Sequence, residues 1–278
     1  MRDNRRYRRG MISWLLLLPL VVLGLFPYLV MLSTALKSAK DLFAYPPRIL
    51  PSQLDFASMM VIWDKVDFAR AIANGMVVSV STTVLTLLFA VPAAYSLARF
   101  QTRGSGAIRV FLMVTQMISP VVLIIGIFRM MAAMGMMNDL RALILALTGF
   151  SVAFAVWMLQ SYFKTLPREI EEAAAIDGAN WFNGLRLVFL PLAMPAIGVT
   201  AVFTFITAWT EFVLSYTLLR TPEMATATLK VVYLVSGQYS VAWNEVMAAA
   251  IVTTLPILGI FIVFQKHIVG GLVQGAVK

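Results

Sequence analysis

Long apolar runs are the feature of this sequence that most restricts its fold. A helix needs ~20 mainly apolar residues to cross the hydrocarbon core of a bilayer. Because lipid offers the backbone no hydrogen-bond partner, each run must form a helix. The sequence therefore predicts an all-α membrane protein with six transmembrane helices, at about residues 11–36, 72–98, 106–133, 141–163, 190–219 and 246–266.

Composition supports a single membrane domain over residues 11–278, preceded by a basic segment at 1–10. The chain is 60% hydrophobic and 13% charged, whereas soluble domains carry about 25% charged residues. It has no cysteine and one histidine, His267. Disulfides, thiol catalysis and a multi-histidine metal site within this chain are therefore excluded. The first apolar run is too long for a signal peptide, so we expect it to be a retained helix.

Lys and Arg are unevenly distributed between the connecting segments. With the N-terminus inside, the segments on that side hold 13 of the 22 Lys and Arg residues but only 5 of the 13 Asp and Glu residues. Loops rich in Lys and Arg stay on the cytoplasmic side. Both termini and the segment between the fourth and fifth runs are therefore predicted to be cytoplasmic.

That segment, residues 165–189, reads as a hairpin of two short helices. Pro167 suits the first turn of a helix, and the three glutamates at 169, 171 and 172 favour its N-terminus. Gly178 can take the left-handed conformation that ends a helix, and Asn180 can cap a second one. One face of that second helix would be apolar, with Trp181, Phe182, Leu185 and Val188.

Two surfaces could receive this hairpin. An amphipathic hairpin can rest on lipid headgroups, but anionic lipid would repel the acidic first helix. Ala173, Ala174 and Ala175 are strong helix formers, and their small side chains would let another surface approach closely. A protein partner is therefore the favoured interpretation.

The hairpin also carries a recognisable spacing of residues. It resembles the "EAA" loop of ABC importer permeases, although that pattern usually has Ile where this chain has Val188. By this resemblance the loop is a cytoplasmic coupling hairpin between helices 4 and 5 that docks on an ATPase. The residues that match are Glu172, Ala173, Ala174, Asp177, Gly178, Leu190 and Pro191.

Three further segments are similar to the carbohydrate branch of that family, especially the smaller permease of maltose-type systems. They are Asp177-Gly178-Ala179, Ala208-Trp209-Thr210-Glu211-Phe212 and the C-terminal tail at 267–278. The resemblance implies a permease in a bacterial or archaeal cytoplasmic membrane that imports a sugar, polyol or related carbohydrate by ATP-driven alternating access. The solute itself, and whether this chain or its partner holds the site, stay open.

The resemblance also implies the partners. They are a second homologous permease, two ATPase subunits and an external solute-binding protein, in a complex surrounded by membrane lipid; nucleic acid is not expected. The sequence has no G-x-x-x-x-G-K-[ST] motif, so ATP and Mg²⁺ would be bound by the ATPase subunits. We expect no cofactor on this chain and no catalysis by it.

Polar residues inside the apolar runs are candidates for the substrate pathway, because charged groups at bilayer depth usually face a cavity or a partner. Glu211 could serve as a gate or hold helices together. Gln116 and Ser119 could line a cavity or mark a kink before Pro120. The full set is Gln116, Ser119, Trp209, Thr210, Glu211 and Tyr216.

Three other functions are conceivable for a membrane chain of this composition. An ion-coupled secondary transporter needs buried acids, and only Glu211 lies well within a run. An intramembrane enzyme lacks a catalytic set, since the chain has no cysteine, one histidine and no paired acids in its apolar runs. An ABC permease for a non-carbohydrate solute remains open.

Overall fold

The computed structural model describes the backbone of residues 2–64, 66–100, 104–236 and 241–276, and all regular secondary structure in these residues is helical. The elements are α1 (Arg2–Ala35), α2 (Ala39–Leu42), α3 (Ala57–Asp64), α4 (Phe68–Arg99), α5 (Ser105–Met117), α6 (Pro120–Ala133), α7 (Leu140–Phe163), α8 (Glu169–Ile176), α9 (Trp181–Asn183), a π-helix (Gly184–Phe189), α10 (Leu190–Thr210), α11 (Val213–Leu218), α12 (Ala227–Val235) and α13 (Trp243–Ala276).

Five helical segments within the described residues are long and apolar enough to cross a membrane, and a bent pair brings the number to six. The prediction of six spans therefore holds only if α5 and α6 count as one. The five segments are Trp14–Ala35, Phe68–Arg99, Leu140–Phe163, Gly184–Thr210 and Trp243–Gln265. Helix α13 continues to Ala276, through most of the tail predicted at 267–278.

The third span departs most from its prediction. A single kinked helix over 106–133 was wrong, because α5 and α6 meet at 97°. Ile118 and Ser119 are both extended, with ψ angles of 118° and 134°. Proline pushes the preceding residue out of the α region, so Pro120 ends one helix and begins the next.

The fifth span is displaced towards the hairpin. The prediction of 190–219 was wrong at both ends, because the helix continues unbroken from the π-helix and stops at Thr210. Glu211 is extended, and the chain restarts as α11. Pro191 does not interrupt the helix because it lies in the first turn of α10, where proline is tolerated.

The chain divides into two compact units, 1–69 with 230–255 and 70–229 with 256–278. In the first unit the segment after α1 folds back on its end. Ser58 Oγ donates a 2.6 Å hydrogen bond to the Ala35 carbonyl, and the Asp55 amide donates to Leu36. The side chains of α1 from Trp14 to Tyr28 are exposed.

The second unit has a core where α4, α7, the π-helix and α10 meet. Ala90 and Ala94 of α4 and Ala155 of α7 are fully buried. Such small residues let membrane helices approach closely. Phe163 and Phe189 complete this core, at the end of the unit where α7 passes into the hairpin.

Candidate functional site

The first arm of the hairpin is α8, and its end has a defined geometry. Gly178 has a φ of +84°, and the Ala179 amide donates to the Ala174 carbonyl at 2.9 Å. This six-to-one hydrogen bond around a left-handed glycine is a Schellman motif. The predicted left-handed turn is therefore confirmed. Nothing lies within 4 Å of the position a Cβ would take on Gly178, so the backbone conformation alone favours glycine there.

The second arm begins as predicted and continues further. The Asn180 side-chain oxygen accepts a 2.8 Å hydrogen bond from the Asn183 amide, which caps α9. Leu185 is buried, but Phe182 is 56% exposed, so the predicted apolar face is only partly buried. The Trp181 side chain lies outside the described residues. Through the π-helix this arm is continuous with α10.

A charged anchor joins the hairpin to the end of α4. Arg99 Nε lies 2.6 Å from Glu171 Oε1, and the Arg99 side chain is only 6% exposed. Arg99 Nη2 also donates to the Leu166 carbonyl at 3.0 Å, and its guanidinium lies 5.2 Å from the centre of the Phe189 ring. The Tyr95 hydroxyl donates to Glu171 Oε2 at 3.3 Å. We call Tyr95, Arg99, Glu171 and Phe189 the Arg99 anchor.

The sequence patterns did not single out this anchor. Basic residues suit the C-terminus of a helix, and that was the only available signal for Arg99. Its partner Glu171 lies 72 positions away in the sequence, next to the family pattern that begins at Glu172.

The tip of the hairpin is open. Glu172, Ala173, Asp177 and Gly178 are exposed, and the Ile176 side chain is 86% exposed. Ala174, in contrast, is 8% exposed and faces the chain's own interior. Leu190 is partly buried against the core, whereas Pro191 is exposed. The predicted coupling residues therefore divide into an exposed surface and the internal supports Ala174 and Leu190.

The predicted pathway residues do not form one site. Gln116 lines two cavities beside the bend between α5 and α6, of about 660 Å³ and 290 Å³. Ser119 lies in the bend itself. The other four candidates line neither of these cavities and lie at or beyond the end of α10: Trp209, Thr210, Glu211 and Tyr216.

Trp209 and Glu211 have local structural partners. Trp209 is 3% exposed, and a Cβ on Gly75 would lie 3.1 Å from its ring. Glu211 accepts hydrogen bonds from the Leu214 amide at 2.7 Å and the Ser215 amide at 2.9 Å. A side-chain oxygen that accepts from the following amides caps a helix, so Glu211 caps α11. Tyr216 is 59% exposed, and the exposed Thr210 donates to the Ile206 carbonyl of its own helix.

At the end of the second unit opposite the hairpin, which we call the far end, neutral side chains form hydrogen bonds with the backbone of a loop. Asn138 has a φ of +60°, and its side-chain oxygen accepts from the Arg220 amide at 2.9 Å and the Thr221 amide at 3.1 Å. Asn74 donates to the carbonyls of Glu223 and Ala225 at 2.9 and 3.1 Å. Side-chain amides thus bind the loop after α11 at both positions.

The far end also includes the ion pair of Asp139 and Arg141. Asp139 Oδ2 lies 2.7 Å from Arg141 Nη2, whose side chain is 80% exposed. Hydrogen bonds from the Arg141 side chain and then its amide hold the pKa of Asp139 below its ordinary value of 3.8. Within the residues that the structure describes, no group of three His, Cys, Asp or Glu side chains could hold a metal.

Comparison with known proteins identifies the family. The family described as "Binding-protein-dependent transport system inner membrane component" matches residues 87–273. A sulfoquinovosyl glycerol transport system permease protein of Agrobacterium fabrum is 31% identical, covering 93% of this chain and 90% of that protein. A trehalose transport system permease protein of Mycobacterium tuberculosis is 31% identical, covering 95% and 97%.

A solved structure gives the same fold. It is a chain of a bacterial ABC transporter involved in the import of the acidic polysaccharide alginate, with a TM-score of 0.77, 24% identity, and coverage of 96% of this chain and 98% of that one. The family match spans more than half of the sequence, as do the two relatives. The chain therefore belongs to the family of inner-membrane components of binding-protein-dependent transport systems.

Proposed function

We propose that this chain is the permease subunit of an ATP-driven importer for a carbohydrate, and that its hairpin is the element that docks on an ATPase subunit. Relatives named for the transport of sulfoquinovosyl glycerol, trehalose and diacetylchitobiose support the substrate class. The observation that supports the docking assignment is that the Arg99 anchor fixes the base of the hairpin while its tip is exposed.

The docking surface would comprise the exposed residues of the tip. Ile176 is a large apolar side chain that the chain itself leaves uncovered. Protein interfaces typically have an apolar centre and a polar rim. Glu172 and Asp177 border Ile176 here. Ala173 and Gly178 add little bulk, so a partner surface can come close to the backbone.

The Arg99 anchor connects this docking surface to the membrane helices. The first arm is tied to α4 through Arg99 and Glu171. The second arm is continuous with α10. A displacement of the tip would therefore move two helices together. Closure of an ATPase dimer could then reorient the bundle, and ligand binding on one side would affect hydrolysis on the other by linkage.

The family and the charge distribution together support a proposal for the surroundings of the chain. We infer a second homologous permease, two ATPase subunits that bind ATP and Mg²⁺, and an external solute-binding protein. A structure similar to this chain at a TM-score of 0.66 holds an alginate ABC transporter with a periplasmic protein carrying an alginate pentasaccharide. The excess of Lys and Arg beside the hairpin and the termini supports a cytoplasmic location for all three.

The candidate pathway residues have separate roles in this proposal. Gln116 and Ser119 lie at the bend and would face the pathway. Trp209 and Glu211 would support the far end, since the ring packs on Gly75 and the carboxylate caps α11. An ion-coupled transporter has less support, because the acid it would use already accepts two amide hydrogen bonds.

The test is affinity purification of the chain from its native membrane in mild detergent, followed by mass spectrometry. We expect one homologous permease and one type of ATPase subunit to be recovered with it. Binding-protein-stimulated ATP hydrolysis by that complex would complete the assignment. Recovery of the chain without an ATPase in several detergents would contradict it and would direct attention to a coupling ion.

A further inference from the structure

Residues of four helices of the second unit, α5, α6, α7 and α10, line a small pocket of mixed character beside the bend between α5 and α6. Its volume is about 290 Å³. Gln116 comes from α5, Ser151 and Phe154 from α7, and Phe203, Thr204 and Thr207 from α10. The larger cavity on the other side of Gln116 is lined mainly by Met, Leu, Ile and Phe side chains. Only the smaller one brings several hydroxyl groups together.

The polar side of this pocket has unused hydrogen-bonding capacity. The Thr204 side chain is 2% exposed, and its Oγ1 atom has no hydrogen-bond partner among the described residues. A buried polar group without a partner costs free energy. Thr207 donates to the Phe203 carbonyl at 2.9 Å, which leaves its oxygen able to accept. A ligand with hydroxyl groups could therefore both donate and accept here.

The other side of the pocket is aromatic. The rings of Phe154 and Phe203 lie edge to face, with centres 6.4 Å apart and an angle of 67° between their planes. Ligand pockets typically combine apolar or aromatic walls with a few polar groups that fix orientation. A sugar ring matches this division, since it has C–H faces for the phenyl rings and hydroxyl groups for the threonines and the amide.

The location also favours a ligand. Non-helical backbone at membrane depth is tolerated only where it is buried in protein or lines a water-filled cavity. In secondary transporters, substrate sites are typically formed beside discontinuous helices. Ile118, in the extended stretch between α5 and α6, lines this pocket, as does Pro120 after it. The bend is thus accounted for if the pocket opens to the transport pathway.

Among the described residues, the pocket is lined by no Asp, Glu, Lys or Arg. A charged ligand at this depth would need an opposite charge. We propose that this pocket is a sugar subsite on the present chain, and that it receives one neutral ring of the transported carbohydrate. The proposal rests on the proposed function and adds to it the place and the charge class of the ligand.

The absence of cysteine from the sequence allows a direct test in the assembled complex. Thr207→Cys is alkylated with N-ethylmaleimide in proteoliposomes, with trehalose, diacetylchitobiose or an alginate oligosaccharide as the probe. Ser161→Cys is the matched control, because Ser161 is exposed on α7 and does not line the pocket. We expect a transported neutral sugar at saturation to slow alkylation at position 207 at least about fivefold, with no change at position 161.

Each other outcome has a defined meaning. Sugar uptake without protection at position 207, or equal protection at both positions, overturns the subsite and leaves the proposed function intact. Uptake and protection by the alginate oligosaccharide alone overturns the neutral charge class. A complex that assembles without ATP-dependent uptake of any carbohydrate overturns the proposed function as well.

A second variant tests the buried hydroxyl itself. Thr204→Val removes the hydroxyl group and keeps the shape. We expect the KM for the transported sugar to rise about tenfold, the factor given by one lost hydrogen bond, with little change in the maximal rate. Thr200→Val is the control, because the buried Thr200 hydroxyl already donates to Ala196 at 2.8 Å in the same helix. An unchanged KM for Thr204→Val, or an equal rise in both variants, contradicts a contact with the sugar.

Discussion

At one end of the second unit a charged anchor joins the hairpin to α4, whereas at the far end neutral amide side chains bind the backbone of loops. The hairpin depends on one guanidinium that contacts Glu171, Leu166 and Phe189. At the far end, the contacts come from two separate side chains, Asn74 and Asn138. The hairpin is therefore tied to α4 by one charged cluster, whereas the far end is joined by separate neutral contacts.

This difference has an energetic consequence. Removing one partner of a buried ion pair costs about 3–5 kcal/mol, and less when a partner retains some contact with water. Glu171 is 25% exposed, so the lower part of that range applies. Losing one ordinary hydrogen bond costs about 1 kcal/mol. We infer that the Arg99 anchor transmits motion between the hairpin and α4, and that the far-end contacts maintain the structure of the loop. We expect substitutions to separate these two roles.

The largest effect is expected from Gly178→Asp at the tip of the hairpin. The aspartate strains a backbone with a φ of +84° and adds a charge to the docking surface, so sugar uptake should be abolished while the chain remains in the membrane. Gly104→Asp is the matched control, because Gly104 has a φ of +91° and equally open surroundings. Normal uptake by Gly178→Asp, or equal losses in both variants, would contradict docking at the tip.

The next effect is expected from Arg99→Met, which removes the anchor and keeps a long side chain. Uptake should fall at least about tenfold because the unpaired Glu171 carboxylate no longer fixes the hairpin. Arg99→Lys should be intermediate, since lysine keeps the charge without the planar fork. In the double variant with Glu171→Met, uptake should partly recover, and a double-mutant cycle would measure the coupling. Additive losses in that cycle would argue against a functional ion pair.

At the far end, Asn138→Ala should act on stability more than on coupling. It removes the hydrogen bonds to the loop after α11 and strains a positive φ, at a cost of about 1–3 kcal/mol. Thermal unfolding in detergent should move to lower temperature, while the ratio of uptake to ATP hydrolysis stays normal. Asn138→Gly keeps the backbone conformation and should lose less. ATP hydrolysis without sugar uptake in Asn138→Ala would contradict the assignment of coupling to the hairpin end and of stability to the far end.

The smallest effect is expected from pH at Asp139. Since hydrogen bonds from Arg141 hold its pKa below 3.8, its stabilising contribution is fully present above about pH 4. That contribution is lost as the pH falls through the lowered value. Because Arg141 is largely exposed, the loss should be under about 1 kcal/mol. The difference in thermal unfolding between wild type and Asp139→Asn should narrow as the pH falls from 7 to 3; a constant difference between them would contradict this origin.

The sequence determined some of these features because their causes are local. Apolar runs defined five helices, and glycine and asparagine defined the turn at Gly178 and the cap at Asn180. The prediction failed where one residue's effect depended on its neighbours. Pro120 produced a 97° bend instead of a kink, whereas Pro191 produced no break. The tertiary contacts could not be predicted from the sequence either. Arg99 and Glu171 come together only in the folded chain. Glu211 caps α11, a helix whose residues were predicted to belong to one longer span.

The central claim, that the hairpin tip meets an ATPase, can be tested by cross-linking at single cysteines in this naturally cysteine-free chain. Ile176→Cys lies at the tip and Met134→Cys at the far end, and both native side chains are exposed. With a short cross-linker that carries a maleimide for the cysteine and a photoactivated diazirine for the neighbouring protein, we expect a covalent adduct with the ATPase subunit from position 176 in native membranes and none from position 134. An intact complex with no adduct at position 176, or with equal adducts at both positions, would contradict the claim.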